Sequence, residues 1–151
     1  LFKLSRLSKM QVESFIHHPA EVPVKIAVSD NQFPLQSIDE TACMGVYIHT
    51  STCYPVNSCV EVEINVQSPA FFAKGYISSS EPVKEGIGYE TGIVFDCPET
   101  AFAVRMIEQV CYIEQYRQKV SLTEGRELTI DSAATEWITQ YAANFPELSA
   151  V

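Results

Sequence analysis

Five cysteines, three histidines and a close pair of glutamates are the residues of this chain with the plainest capacity for chemistry. Cys43, Cys53, Cys59, Cys97 and Cys111 are odd in number, and none are two or three positions apart. Zinc sites are usually built from paired ligands such as C-x-x-C with histidines at short spacing. His17, His18 and His49 offer no such pairing, so the spacing predicts no metal site. A cysteine nucleophile needs a neighbouring base to hold it as thiolate, and the sequence gives no reason to choose one cysteine over another. The thiols are expected to pack as small hydrophobes in a reducing cytoplasm. Glu61 and Glu63 are two apart on a strand and face the same way, as residues of a solvated strand face do. There is no P-loop, no G-x-G-x-x-G and no G-x-S-x-G. Gly86-Ile87-Gly88 is too short for a phosphate cradle and reads as a turn. With no nucleophile–base pair, metal cluster or carboxylate pair in contrasting surroundings, no catalytic residue is predicted and no enzyme is expected.

The elements that would position these residues fall into two halves. From Val22 to Cys97 the chain reads as short strands: Val22–Val28, Pro34–Asp39, Gly45–Thr50, Ser58–Val66, Phe71–Ser79 and Tyr89–Phe95. The cleanest is Ser58–Val66, with Val60, Val62, Ile64 and Val66 on one face and Glu61, Glu63 and Asn65 on the other. Turn residues recur about every ten positions, the spacing of an antiparallel barrel or sandwich rather than of a βαβ sheet. After Cys97 the period becomes helical. Pro98 suits a first helical turn and Glu99 places negative charge at its dipole. Phe102, Met106, Ile107, Val110, Ile113 and Tyr116 then recur at steps of one to four residues, mostly three or four, with the helix expected to reach about Val120 and to break at Glu124-Gly125. Thr129 is positioned to cap a second helix with the stripe Ala134, Trp137, Ile138, Tyr141 and Phe145, stopped by Pro146.

Charge narrows the partners. Of 151 residues, 10 are Lys or Arg and 19 are Asp or Glu, a formal net charge of −9. Binding of nucleic acid or of anionic lipid needs cations to meet phosphates, so neither DNA nor RNA is an expected partner. Between Lys9 and Lys74 the only cation is Lys25. The length fits one domain, and a hydrophobic content of 46% supports a packed core. No apolar run approaches the ~20 residues that cross a bilayer. Leu1–Ile16 alternates Lys3, Arg6 and Lys9 with apolar residues and lacks the apolar core of a signal peptide; it reads as a peripheral arm of a trimmed or processed chain.

Asp39-Glu-Thr41-Ala-Cys-Met44-Gly45-Val-Tyr-Ile48 resembles the D/N-x-S-x-x-G segment of PilZ domains. Upstream, Phe15-Ile-His17-His-Pro-Ala-Glu21-Val-Pro-Val24 resembles the R-x-x-x-R loop that leads into the first PilZ strand. Gly75-Tyr76-Ile77 and Tyr89-Glu-Thr-Gly92-Ile-Val-Phe95 are similar to the closing strands, and Arg105–Arg117, Glu124-Gly125-Arg126 and Glu136-Trp137-Ile138 to the C-terminal extension of one bacterial PilZ subgroup. The resemblance implies a six-stranded antiparallel β-barrel followed by two amphipathic helices. It divides the chain into an N-terminal arm (1–14), a PilZ-like barrel (15–97), a helix (98–120) and a second helix with tail (121–151). It also implies a bacterial, cytoplasmic, non-catalytic receptor for cyclic di-GMP, a ligand rather than a cofactor; no cofactor is expected.

In PilZ receptors the two loop arginines grip phosphate and stack on guanine, while the D/N-x-S-x-x-G residues bind the other guanine edge. Carried onto this chain, the ligand positions are His17, Glu21, Asp39, Thr41 and Met44, with Gly45 one place late. Imidazole lacks the planar, permanently charged fork of a guanidinium, and Glu21 puts a negative charge where a phosphate would sit. Asp39 and Thr41 keep their chemistry; Met44 fills space that a glycine leaves open. Loss of one charge-assisted contact costs ~1.5–3 kcal/mol, so weak or absent nucleotide binding is expected. Two roles follow. The first is an adaptor in motility or biofilm control that binds a protein partner, or a second copy of this chain, through an interaction face of Trp137, Ile138 and Tyr141. The second is a cyclic di-GMP receptor in which the arm (Lys3, Arg6, Lys9) or a second subunit supplies the cations.

Overall fold

The structure, a computed structural model, describes residues 15–29, 45–95 and 97–145. Among these residues there are six strands: β1 (Ile16–His17), β2 (Val24–Val28), β3 (Gly45–Thr50), β4 (Cys59–Ile64), β5 (Phe71–Pro82) and β6 (Tyr89–Phe95). Alternation in β4 sets the pattern. Val60, Val62 and Ile64 are buried, while Glu61 and Glu63 stand opposite Lys74 and Lys25 on the neighbouring strands, the opposite-charge cross-strand pairing that favours a register. The six strands form one sheet in the order β1-β3-β6-β5-β4-β2. Gly45 opens β3 because a Cβ there would lie 2.5 Å from the Ile93 carbonyl oxygen and 2.6 Å from the Phe15 ring.

Two helices follow. α1 (Pro98–Glu124) starts with Pro98 in its first turn and with the Cys97 Sγ accepting from the Thr100 N–H, and ends on Gly125 in the left-handed conformation (φ 67°). α2 (Ile130–Tyr141) is capped by the Thr129 hydroxyl, which accepts from the Ser132 N–H at 3.1 Å, and runs into a 3-10 turn at Ala142–Asn144. The main core lies between the sheet and α1: Val46, Ile48, Val62, Ile77 and Ile93 pack against Ala101, Val104, Ile107 and Cys111. A second cluster joins β1 to both helices through Ile16, Tyr112, Trp137 and Phe145.

The chain is therefore mainly β with C-terminal α, and the antiparallel barrel expectation is corrected in two respects. The sheet is mixed, because β1 pairs parallel with β3. It is also not closed among the described residues: β1 and β2 occupy opposite edges and do not pair with each other. The loop between them, residues 18–23, joins the two edges and crosses α1 on its way. Gly45–Thr50 and Tyr89–Phe95 form strands over the expected residues, Phe71–Ser79 extends to Pro82, and the strand expected at Pro34–Asp39 lies outside the described residues. The first helix continues four residues beyond Val120. Its buried residues are Ala101, Val104, Ile107, Glu108, Cys111, Tyr112 and Val120, whereas Phe102 and Met106 of the expected stripe are exposed. On α2 and the turn after it, Trp137 and Phe145 of the expected stripe are buried and Tyr141 is half-buried, whereas Ile138 is exposed and Ala133 turns inward more fully than Ala134.

Candidate functional site

The loop at 18–23 is held to α1 by side chains at helical spacing. β1 places His17 beside Tyr47, ring centroids 5.0 Å apart, and the His18 N–H donates to the Tyr47 carbonyl at 2.9 Å. The chain then turns, with the Val22 N–H donating to the Pro19 carbonyl at 3.1 Å. Across this turn Glu108, Tyr112 and Gln115, at i, i+4 and i+7 on one face of α1, reach three points on the loop and the end of β1. His18 Nδ1 lies 2.6 Å from Glu108 Oε2. The Tyr112 hydroxyl donates to the His17 carbonyl, and Gln115 Nε2 donates to Glu21 Oε2 at 2.9 Å. Cys111, one turn on from Glu108, completes the buried part of this face.

The electrostatics at the centre are those of a dry site. His18 and Glu108 side chains are 2% and 0% exposed. The imidazole is engaged on both sides, since Nε2 donates to the Val22 carbonyl at 2.8 Å. Burial alone would lower the His18 pKa, but the hydrogen bond and charge of Glu108, with help from Val22 and Glu21, more than offset it and leave the pKa above its ordinary value. The 2.6 Å separation of Nδ1 and Oε2, both acceptors when bare, requires a proton between them. Burial, then the charge of Glu108, push the Cys111 thiol upward and keep it protonated. The same causes raise Tyr112. One feature of the cluster is unbalanced: Glu108 Oε1 is buried and accepts no hydrogen bond from the described residues. Native interiors leave few polar atoms in that condition.

His18 Nδ1 or Nε2, a Glu108 oxygen and the Cys111 Sγ lie within 4.8 Å of one another. Ligand spacing along the chain shows no such grouping, because the fold assembles these three donors from positions up to 93 apart. Sequence alone does not single out Glu108 as a neighbour of Cys111, because a carboxylate in a helical stripe reads as surface. The available signal was their spacing, three apart and in phase with Val104 and Ile107.

Of the other expected ligand positions, Asp39, Thr41 and Met44 lie outside the described residues, as does the arm with Lys3, Arg6 and Lys9. Gly45 is buried against Phe15, and its missing side chain makes room for that ring and for β6. The expected interaction face divides. Trp137 is 2% exposed and packs inside the chain against Tyr112 and Phe145, so it is not part of a free surface. Ile138 is exposed and Tyr141 is half-buried. Between α1 and α2 lies a cleft of about 510 Å³ lined in part by Tyr116, Arg126, Glu136, Trp137 and Tyr141. Lys119 also lines it; Arg126 bonds Glu124 and Glu136, and the Tyr116 hydroxyl donates to Glu136 at 2.7 Å. No helix among the described residues is long and apolar enough to cross a membrane. No family model, no curated protein and no solved structure matches this chain.

Proposed function

We propose that this chain is a non-catalytic, bacterial signalling module of the PilZ type that works by protein contact, as a cytoplasmic adaptor in the control of motility or biofilm, with its response to cyclic di-GMP weakened or lost. The observation that carries this reading is the state of the loop where PilZ receptors grip phosphate. At the second arginine position stands the carboxylate of Glu21, accepting from Gln115. At the first stands His17, against the Tyr47 ring. The described arginines have other engagements: Arg117 is paired with Glu114, Arg126 with Glu124 and Glu136. Arg105 bonds the Phe145 carbonyl and lies over its ring. None is placed on this loop. The surface that supports a protein contact is the outer row of α2, Ile130, Ala134 and Ile138 at i, i+4 and i+8, with Ile130 and Ile138 exposed.

Isothermal titration with cyclic di-GMP at pH 7 tests the reading, on the unmodified chain and on His17→Arg/Glu21→Arg. No heat of binding at micromolar concentrations is expected from the unmodified chain. Binding restored by the double substitution would support a PilZ-type scaffold that has lost its phosphate grip. Micromolar binding by the unmodified protein would overturn the adaptor and favour the receptor that draws its cations from the arm or a second subunit.

A further inference from the structure

We propose that His18, Glu108 and Cys111 form a binding site for a borderline divalent metal ion, Zn²⁺ in the first instance, which cross-links the loop at 18–23 to α1. The three donors are buried and lie within 4.8 Å of one another. Glu108 and Cys111 are three apart on α1, so both face the loop from the same side of the helix. The imidazole is already oriented as a ligand: its Nε2–H is spent on the Val22 carbonyl at 2.8 Å, so loss of the proton shared with Glu108 would free the Nδ1 lone pair for a metal ion on the carboxylate side. Metal-bound histidines are held by an outer hydrogen bond of this kind. Glu108 Oε1, buried without a partner among the described residues, gives an independent sign that the pair with His18 does not complete the site. A thiol beside imidazole and carboxylate disfavours Mg²⁺ and Ca²⁺ and suits zinc.

Charge balances on exchange. Without metal, one proton is shared by His18 and Glu108 and a second sits on the Cys111 sulfur. Entry of M²⁺ releases both protons to solvent, leaving neutral imidazole, one carboxylate and one thiolate around a double positive charge. The cluster is neutral before and after, and the interior never holds an uncompensated ion. The raised thiol pKa is no obstacle, because a coordinated cation deprotonates the thiol outright. With Zn–N and Zn–O near 2.0–2.2 Å and Zn–S near 2.3 Å, tetrahedral donors stand about 3.3–3.7 Å apart. The His18–Glu108 contact of 2.6 Å must then open, and the widest donor separation close, by about 1 Å each. Both Glu108 and Cys111 are completely buried, so the fourth coordination position faces no substrate and the ion's role is structural.

The probe is Co²⁺ alone, added anaerobically to the reduced full chain, both to the folded protein and during refolding from urea. Intense tetrahedral d–d bands and a thiolate-to-cobalt charge-transfer band at one equivalent are expected. Cys111→Ser removes the charge-transfer band and Glu108→Gln weakens binding at least tenfold, while Cys53→Ser, on the exposed cysteine, changes neither. Circular dichroism confirms that each variant is folded. Zn²⁺ at a hundredfold excess over Kd raises the Tm of the parent by about 5–10 °C and that of Cys111→Ser by much less. Absence of tetrahedral bands in both loading arms overturns the proposal, as do bands that survive Cys111→Ser unchanged.

Discussion

Replacement of His18 by leucine in metal-free protein removes the only hydrogen-bond partner of the Glu108 side chain among the described residues, and the size of the effect follows from what is left behind. Both side chains are at most 2% exposed and 2.6 Å apart. Breaking a buried charged pair by deleting one member costs ~3–5 kcal/mol, since the survivor stays buried without compensation. The Val22 carbonyl also loses its donor, at ~1 kcal/mol. Against a total stability of ~5–15 kcal/mol for a domain, His18→Leu should remove a third or more. Glu108→Leu leaves an imidazole that can stay neutral and keep Val22, so its cost is ~1–3 kcal/mol. The double leucine variant should lose less than the sum, by ~2–3 kcal/mol of coupling. Glu108→Gln adds a pH readout, because its amide can donate to Nδ1 of a neutral ring. The His18 pKa is raised by folding. Its contribution is therefore complete below the unfolded value near 6.5 and lost as pH rises through the folded value, with a slope of at most ~1.4 kcal/mol per pH unit. Urea titrations in EDTA between pH 6 and 9 should show that decline in the parent and a flat response in Glu108→Gln. Costs below ~1 kcal/mol for His18→Leu, or additive leucine variants, would refute the assignment of this pair as a buried, proton-sharing link.

Two further outcomes test the packing. Trp137→Ala should cost ~3–5 kcal/mol in urea unfolding, because the ring lies buried among Tyr112, Tyr141 and Phe145. Ile138→Ser, on the exposed side of the same helix, should stay within ~0.5 kcal/mol of the parent; equal effects would show that α2 packs by a different face. Gly45→Ala should unfold the start of β3 or lower the Tm sharply, since its Cβ would lie 2.5 Å from the Ile93 carbonyl oxygen, and an unchanged Tm would mean that β3 and β6 are further apart than described.

Local pattern made the strands legible. Gly45–Thr50 and Tyr89–Phe95 are bounded by glycines or turn residues, and in β4 the alternation of valine with glutamate fixes which face is inside. The helix caps at Cys97–Pro98, Gly125 and Thr129 are equally local. What escaped is non-local. β1 is two residues long and exists because β3 offers it an edge; no pattern of two residues announces a strand. On α1 the expected stripe holds at Ile107 but not at Phe102 and Met106, which are exposed while Glu108 and Cys111 are buried. The helix buries the latter pair because Glu108 meets a histidine 90 positions earlier. A charge in a core is tolerable only when its partner is present, and spacing rules that search within a few residues cannot find that partner. For α2 the stripe holds at Trp137, Tyr141 and Phe145, which cluster with Tyr112, and fails at Ile138, which is exposed.

The same long-range contacts bear on how the loop at 18–23 could work. In the proposed reading, its counterpart in PilZ receptors is free to close on a nucleotide with two guanidinium groups. Here three side chains of α1, one turn apart, hold it from the other side: Glu108 on His18, Tyr112 on the His17 carbonyl, Gln115 on Glu21. A carboxylate at position 21 accepts from Gln115, and an arginine there would give up that contact while gaining a group for phosphate. Holding the helix and holding a phosphate thus make opposite demands on one side chain. The double substitution His17→Arg/Glu21→Arg therefore reads two quantities together. If the loop serves as a strap for α1, nucleotide binding should appear with a loss of stability. If the restored binding came with no such loss, Gln115 and Glu21 would be neighbours without consequence, and the loop would be a ligand clamp that merely lacks its arginines.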